Sequence, residues 1–312
     1  LREKKRSLDA AKKTRAPAKK SRNDMAPPSS DKARNESTLN NVINGNDVSA
    51  LLLDKHPEGI AVLTMNRPEV HNAFDEAMIA DMTDALRELD ADRNVRVVVL
   101  SANGKSFSAG ADLNWMRRMA AYSEEENLRD AMALATLMRT LNSLSKPTIA
   151  SIHGAAYGGG VGLVACCDIA LASRNATFSL SEGRLGLIPA VIGPYVIAAT
   201  GERMAKRYFL TAERFDAEEA YGIGLVQELA DDEQALDKLI DKIIDSLLAC
   251  GPQAQSETKQ LIAAVVGRPI DDALMQDTAN RIARIRVSEE GREGINAFLD
   301  KRTPAWIKRS GK

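Results

Sequence analysis

A glycine triplet, Gly158-Gly159-Gly160, and a solitary acid, Glu182, are the residues of this chain best suited to chemistry. They sit within residues 151–189, SIHGAAYGGGVGLVACCDIALASRNATFSLSEGRLGLIP. Glycines in a row let backbone approach a ligand without Cβ interference and leave peptide N–H groups free to face it. Where a helix starts at such a turn, those N–H groups lie at the positive end of its dipole and suit a developing negative charge. A second small-residue turn, Ser106-Phe-Ser-Ala-Gly-Ala-Asp-Leu113, has the same character around Gly110. Two such turns and one downstream acid point to an oxyanion hole served by a proton-transfer group. For an isolated glycine triplet, tight helix–strand packing is an equally good reading.

The elements that must position these turns are legible around them. Short apolar stretches at 50–64 suit a hairpin. Met78, Met82, Leu86 and Leu89 give 75–90 a helical period, with Asp75 as N-cap. The run VRVVVLS at 95–101 predicts a strand buried on both faces. A helix follows over 123–144, capped by Ser123 with acids at 124–126. Then come a strand at 147–153, the glycine turn, a short helix and the strand DIALAS at 168–173. Strand–helix alternation of this kind indicates α/β architecture with a partly parallel sheet. Helical patterns occupy 202–211, 216–222, 232–250, 252–267 and 270–287.

Composition sets the bounds. A chain of 312 residues with 44% apolar content can bury a sizeable core. Its apolar runs are broken well short of a membrane span, and nothing reads as a secretory signal. Cys166, Cys167 and Cys250 form no metal-ligand pattern, and an odd count argues against a disulfide framework. A reducing compartment follows: the cytoplasm, with the mitochondrial matrix as alternative. The net charge of −1 hides an asymmetry, because residues 1–22 carry ten Lys/Arg against two Asp/Glu. The composition of residues 1–46 predicts a disordered basic tail. Residues upstream of Met25 read as an upstream-translation or fragment artefact, ahead of a presequence or a nucleic-acid arm. No aromatic side chain interrupts those charges to stack a base, so no nucleic-acid partner is expected.

Five segments occur in one order: NRPEVHNA at 66–73, SFSAGADL at 106–113, GGGVGLVACCDIALAS at 158–173, FSLSE at 178–182 and LGLIP at 185–189. Together, over roughly residues 49–309 and with AFLDKRTPAW at 297–306, they resemble the crotonase superfamily of enoyl-CoA hydratases and isomerases. The resemblance implies a spiral of ββα units over 47–245 and a helical C-terminal region over 246–312 that assembles a homo-trimer or hexamer. It implies an acyl-CoA substrate, with the coenzyme A thioester as reactant, no separate cofactor and no metal. Within the family the motifs look most like the bacterial methylglutaconyl-CoA hydratases of leucine breakdown and relatives acting on isohexenylglutaconyl-CoA.

Carried over residue by residue, the resemblance makes the N–H groups of Ala111 and Gly159 the oxyanion donors and Glu182 the acid/base. Its apolar sequence setting predicts a raised pKa. Ala73, Ala109, Asp112, Leu113 and Gly158 are expected along the coenzyme A channel. Arg67 either approaches the coenzyme's phosphates or braces its turn. Asp112 reads as a loop anchor, and Trp115 and Met116 as walls of the acyl pocket. Arg184, Arg117 and Arg118 are the candidates to pair with a distal substrate carboxylate.

One departure stands out. Typical hydratases place a second glutamate where this chain has Gly162, and a glutamate there is expected to project into the water site opposite Glu182. A subset that shifts double bonds works with one glutamate, so a Δ3–Δ2 enoyl-CoA isomerase is the alternative, with a non-catalytic binding member as a third reading. Family members that use an aspartate eight residues beyond Glu182 lose support, because Ala190 stands there.

Overall fold

A computed structural model describes residues 49–307, and the tail expected over 1–46 lies outside them. Strands β1 (Leu51–Lys55) and β2 (Ile60–Met65) form the expected hairpin, pairing antiparallel. Helix α1 (Glu76–Ala91) follows, its N-cap Asp75 accepting from the Met78 N–H, and it buries Met78, Ile79, Met82, Leu86 and Leu89. Strand β3 (Val97–Ala102) comes next. Its alternate residues Val98 and Leu100 enter one core while Val97 and Val99 enter another, which is why the run is apolar throughout. After β4 (Ser106–Ser108) come α2 (Leu113–Met119) and α3 (Glu124–Asn142), the latter opened by a reciprocal Ser123–Glu126 capping box.

The pattern then repeats. β5 (Thr148–Ile152), β6 (Ala155–Tyr157) and α4 (Gly159–Cys166) form one unit, and β7 (Ile169–Ser173) and β8 (Thr177–Ser179) begin the next. Helix α5 (Gly193–Thr211) leads to β9 (Arg214–Asp216), α6 (Ala217–Gly222) and β10 (Glu228–Ala230). Four helices close the chain: α7 (Glu233–Ala249), α8 (Pro252–Val265), α9 (Asp272–Val287) and α10 (Glu289–Leu299).

Two sheets result. One has the order β1-β2-β3-β5-β7-β10, parallel beyond its first hairpin; the other has the order β4-β6-β8-β9, parallel except for β9. Three times the chain leaves a strand of the first sheet and within a few residues enters one of the second: β3 to β4, β5 to β6, β7 to β8. This is the strand–strand–helix spiral that the family resemblance implied. Among the described residues no helix is long and apolar enough to cross a membrane.

Three elements differ from the sequence-based expectation. Helix α5 begins nine residues early, at Gly193, and absorbs a break at Gly201 (φ 77°, ψ 158°) where the periodicity had predicted a start. Helix α2 is one short segment behind its Asp112 cap. Helix α10 forms despite Gly291 and Gly294, because Ser288 caps it and Trp306 packs over Gly294.

Candidate active site

The two small-residue turns meet. Gly110 (φ 93°) and Gly158 (φ 50°) adopt backbone conformations that favour glycine. They approach so closely that a Cβ on either would lie 3.9 Å from the Cα of the other. A Cβ on Gly158 would also lie 3.3 Å from Glu182 Oε1. The acid thus reaches the junction of the turns from the short 3₁₀ segment Ser181–Leu185 that follows β8.

Both expected donors are unengaged. The Phe74 N–H donates to the Gly110 carbonyl and the Asp112 N–H donates to the Phe74 carbonyl, each at 2.7 Å, forming a single parallel bridge around Ala111. In such a bridge the intervening residue directs its own N–H away from the partner strand. Gly159 is the first residue of α4, where N–H groups have no intrahelical acceptor. Among the described residues neither the Ala111 nor the Gly159 N–H meets an acceptor. The tight-packing reading holds as well: a Cβ on Gly159 would lie 2.7 Å from the Phe74 ring, and one on Gly160 2.7 Å from the Ser108 carbonyl. Close packing of α4 on these neighbours brings the start of the helix against the Ser106–Leu113 turn.

Glu182 is half-buried, and its Oε2 is buried without a hydrogen-bond partner. Burial therefore pushes its carboxyl above the ordinary glutamate range, and only a backbone hydrogen bond opposes the shift. Such a group holds its proton to a higher pH than an ordinary glutamate does.

The surroundings assign the other residues. Arg67 is committed to its turn: Nη1 donates to the Ala73 carbonyl at 2.9 Å and pairs with Asp75 at 2.7 Å, and Nη2 pairs with Asp112 at 3.2 Å. These contacts fit the bracing alternative. Asp112 caps α2 by accepting from the N–H groups of Asn114 and Trp115. Burial pushes the Asp112 carboxyl up, but those N–H groups and the Arg67 guanidinium outweigh it and hold the carboxyl below its usual range. Ala73 and Gly158 are buried, whereas Ala109 and Leu113 are exposed at the rim. His71 Nδ1 lies 3.0 Å from Ser106 Oγ. Trp115 is buried and its indole N–H donates to Asp130, while Met116 is half-buried. Arg118 pairs with Glu76 and Arg117 bonds Asn114, so of the three candidate arginines only the exposed Arg184 is uncommitted among the described residues.

Two further residues hold the loop and were not singled out by the sequence. Asn72, fully buried at φ 54°, donates from its amide to the Asn103 and Ser106 carbonyls and accepts from the Arg67 N–H. Ser108 Oγ donates to the Asn72 carbonyl and accepts from the Gly110 N–H. A buried polar pair flanking a positive-φ segment was the available signal.

The expectation for residue 162 fails. Gly162 faces the core, where a Cβ would lie 2.3 Å from Ile192 Cγ2 and 3.2 Å from Met138 Cε, so the space a side chain would enter is occupied.

The sequence pattern of enoyl-CoA hydratase/isomerase matches residues 55–309. The chain belongs to this family. A crotonyl-CoA hydratase of Syntrophomonas wolfei is 33% identical over 261 residues, 82% of this chain and 97% of that protein. The 2,3-dehydroadipyl-CoA hydratase of Escherichia coli is 30% identical over 81% of this chain and 97% of its own. The crystal structure of an enoyl-CoA hydratase from Shewanella pealeana is 48% identical and covers 83% of this chain and 96% of that one, with a TM-score of 0.80. In this crotonase-type member, two small-residue turns and the Glu182 carboxyl meet at one junction.

Proposed function

We propose that this protein adds water to an α,β-unsaturated acyl-CoA thioester. The observation that carries the reading is the convergence of the unengaged Ala111 and Gly159 turns on the half-buried Glu182 carboxyl, whose Oε2 is buried without a hydrogen-bond partner. Water attacks C3 only if charge can accumulate on the thioester oxygen, and preorganised N–H donors stabilise that charge by about 3–4 kcal/mol each in comparable sites. One carboxylate suffices for the proton bookkeeping. Glu182 as carboxylate takes a proton from water while the water oxygen bonds to C3. As the acid it then returns that proton to C2, and the enolate collapses to the saturated thioester. Nothing else is consumed.

The acyl group we favour is methylglutaconyl, on the motif resemblance, and the reading extends to isohexenylglutaconyl. Two relatives are named for acyl groups that carry a second carboxylate, 2,3-dehydroadipyl and (E)-benzylidenesuccinyl. Arg184 is the uncommitted cation near Glu182. A second reading, Δ3–Δ2 isomerisation, is favoured by one observation: residue 162 supplies no second carboxylate, and proton transfer from C2 to C4 needs only one. Absorbance of the conjugated enoyl thioester separates the two. With purified enzyme, methylglutaconyl-CoA should lose absorbance as it is hydrated, and faster than crotonyl-CoA. A gain of absorbance on a 3-enoyl-CoA with no hydration of any 2-enoyl-CoA would replace the first reading by the second.

A further inference from the structure

Gly162 lies three residues past the donor Gly159, one helical turn along α4, so a side chain there would project from nearly the same face. That space is taken. Ile192, the residue just before α5, is 3% exposed and projects into the notch that the missing Cβ leaves. Its Cγ2 and Cβ would lie 2.3 and 2.9 Å from a Cβ at 162, with Met138 Cε closing the notch at 3.2 Å. Ile192 cannot swing aside cheaply. A β-branched side chain is stiff at χ1. Its carbonyl also accepts from the N–H groups of Tyr195 and Val196, which fixes its backbone to the first turn of α5. Met138, which closes the notch, is itself held against Cys166 at 3.7 Å between their sulfurs.

We infer that Ile192 is a specificity-determining residue: by filling the Gly162 notch it holds the site to a single carboxylate. The inference rests on the proposed acyl-CoA chemistry for its functional half, while its packing half stands independently. A glutamate at 162 alone is therefore insufficient to convert this site to a two-carboxylate one. The knob and the notch must change together.

The test compares Gly162→Glu, Ile192→Ala and the double variant with the wild-type chain. Gly162→Glu alone should melt several degrees lower, as overpacked cores do. Ile192→Ala alone should also melt lower, because it leaves a cavity. The double variant should lose clearly less than the sum of the two. It should also hydrate crotonyl-CoA at least about tenfold faster in kcat/KM than Ile192→Ala, within reach of the 10²–10⁴-fold that a positioned acid or base supplies. Its pH–rate profile should show an ionisation absent from Ile192→Ala, which a purely structural repair would not produce. Should Gly162→Glu prove insoluble, Gly162→Ala with and without Ile192→Ala reads the same coupling, since the Cβ itself makes the contact. Additive losses of melting temperature would overturn the inference, as would a Gly162→Glu protein that melts like wild type. Glu182→Gln in the same assay keeps the two claims apart. Retained turnover there would remove the proposed function and leave the melting data to decide the packing.

Discussion

Glu182 owes its chemistry to what it lacks, a partner for Oε2. Glu182→Gln keeps the shape but cannot exchange a proton, so kcat should fall about 10²–10⁴-fold with acyl-CoA affinity nearly unchanged. Stopped-flow turnover together with calorimetric binding checks both halves. The raised pKa fixes the sign of two pH effects. The reactive form is the carboxylate, so kcat/KM should fall on acidification with a midpoint above the ordinary glutamate range. The native state also holds this proton more tightly than the unfolded chain does. The contribution of Glu182 to stability therefore declines as pH rises from the ordinary glutamate pKa through the raised one. Glu182→Gln should accordingly be more stable than the wild-type protein at pH 8, with the gap closing toward pH 5. Urea denaturation at the two pH values measures it, and an equal gap at both would show that the carboxyl is not desolvated.

At the scale of elements, Ala111, the proposed donor, sits between a bridge to Phe74, one of whose two hydrogen bonds the Asp112 N–H donates, and the α2 cap that the Asp112 carboxylate supplies. Asp112→Ala should cost about 1 kcal/mol in stability for the lost cap. It should also lower kcat more than it raises KM, because Ala111 loses its alignment while the coenzyme channel is kept; steady-state kinetics beside urea melts decide this. Helix α1, strand β3, helix α3 and strands β5 and β7 were legible in the sequence because each carries a full period of buried residues or a cap. The second sheet was not. Its strands are three residues long, too short to show alternation, and they exist because successive turns stack them. The Ala111, Gly159 and Glu182 turns were found through motif order, while the Ile192–Gly162 contact joins residues thirty positions apart and leaves no local signature. That is why a glutamate at 162 was expected to find open space.

Across the whole molecule, the site is assembled by three successive hops from one sheet to the other, and the helical end of the chain is fastened to that frame. Lys259 of α8 donates to Asp168 Oδ2 at 2.6 Å and to the Lys146 carbonyl at 3.1 Å. Asp168 Oδ2 in turn accepts from the N–H and hydroxyl of Thr148, tying α8 to the start of β5 and β7. Its side chain is about a third exposed, so the pair is partly screened. Lys259→Met should cost about 1 kcal/mol, read as a melting temperature lower by about 2–4 °C, with kcat unchanged. Differential scanning calorimetry tests this. A fall in kcat at intact stability would mean that the C-terminal helices act on the site directly.

The bridge at Ala111 also leaves an isotopic signature. Asp112 and Phe74 have their amide protons tied into the bridge, while those of Ala111 and Gly159 meet no acceptor among the described residues. In deuterated water those two amides should therefore exchange fast amid protected neighbours, like isolated openings in a closed lattice. A thioester oxygen that accepts from both would close them together. Slowing of these two amides, and of few others, would map the hole in solution without any substitution, at positions where no side-chain replacement short of proline removes the donor.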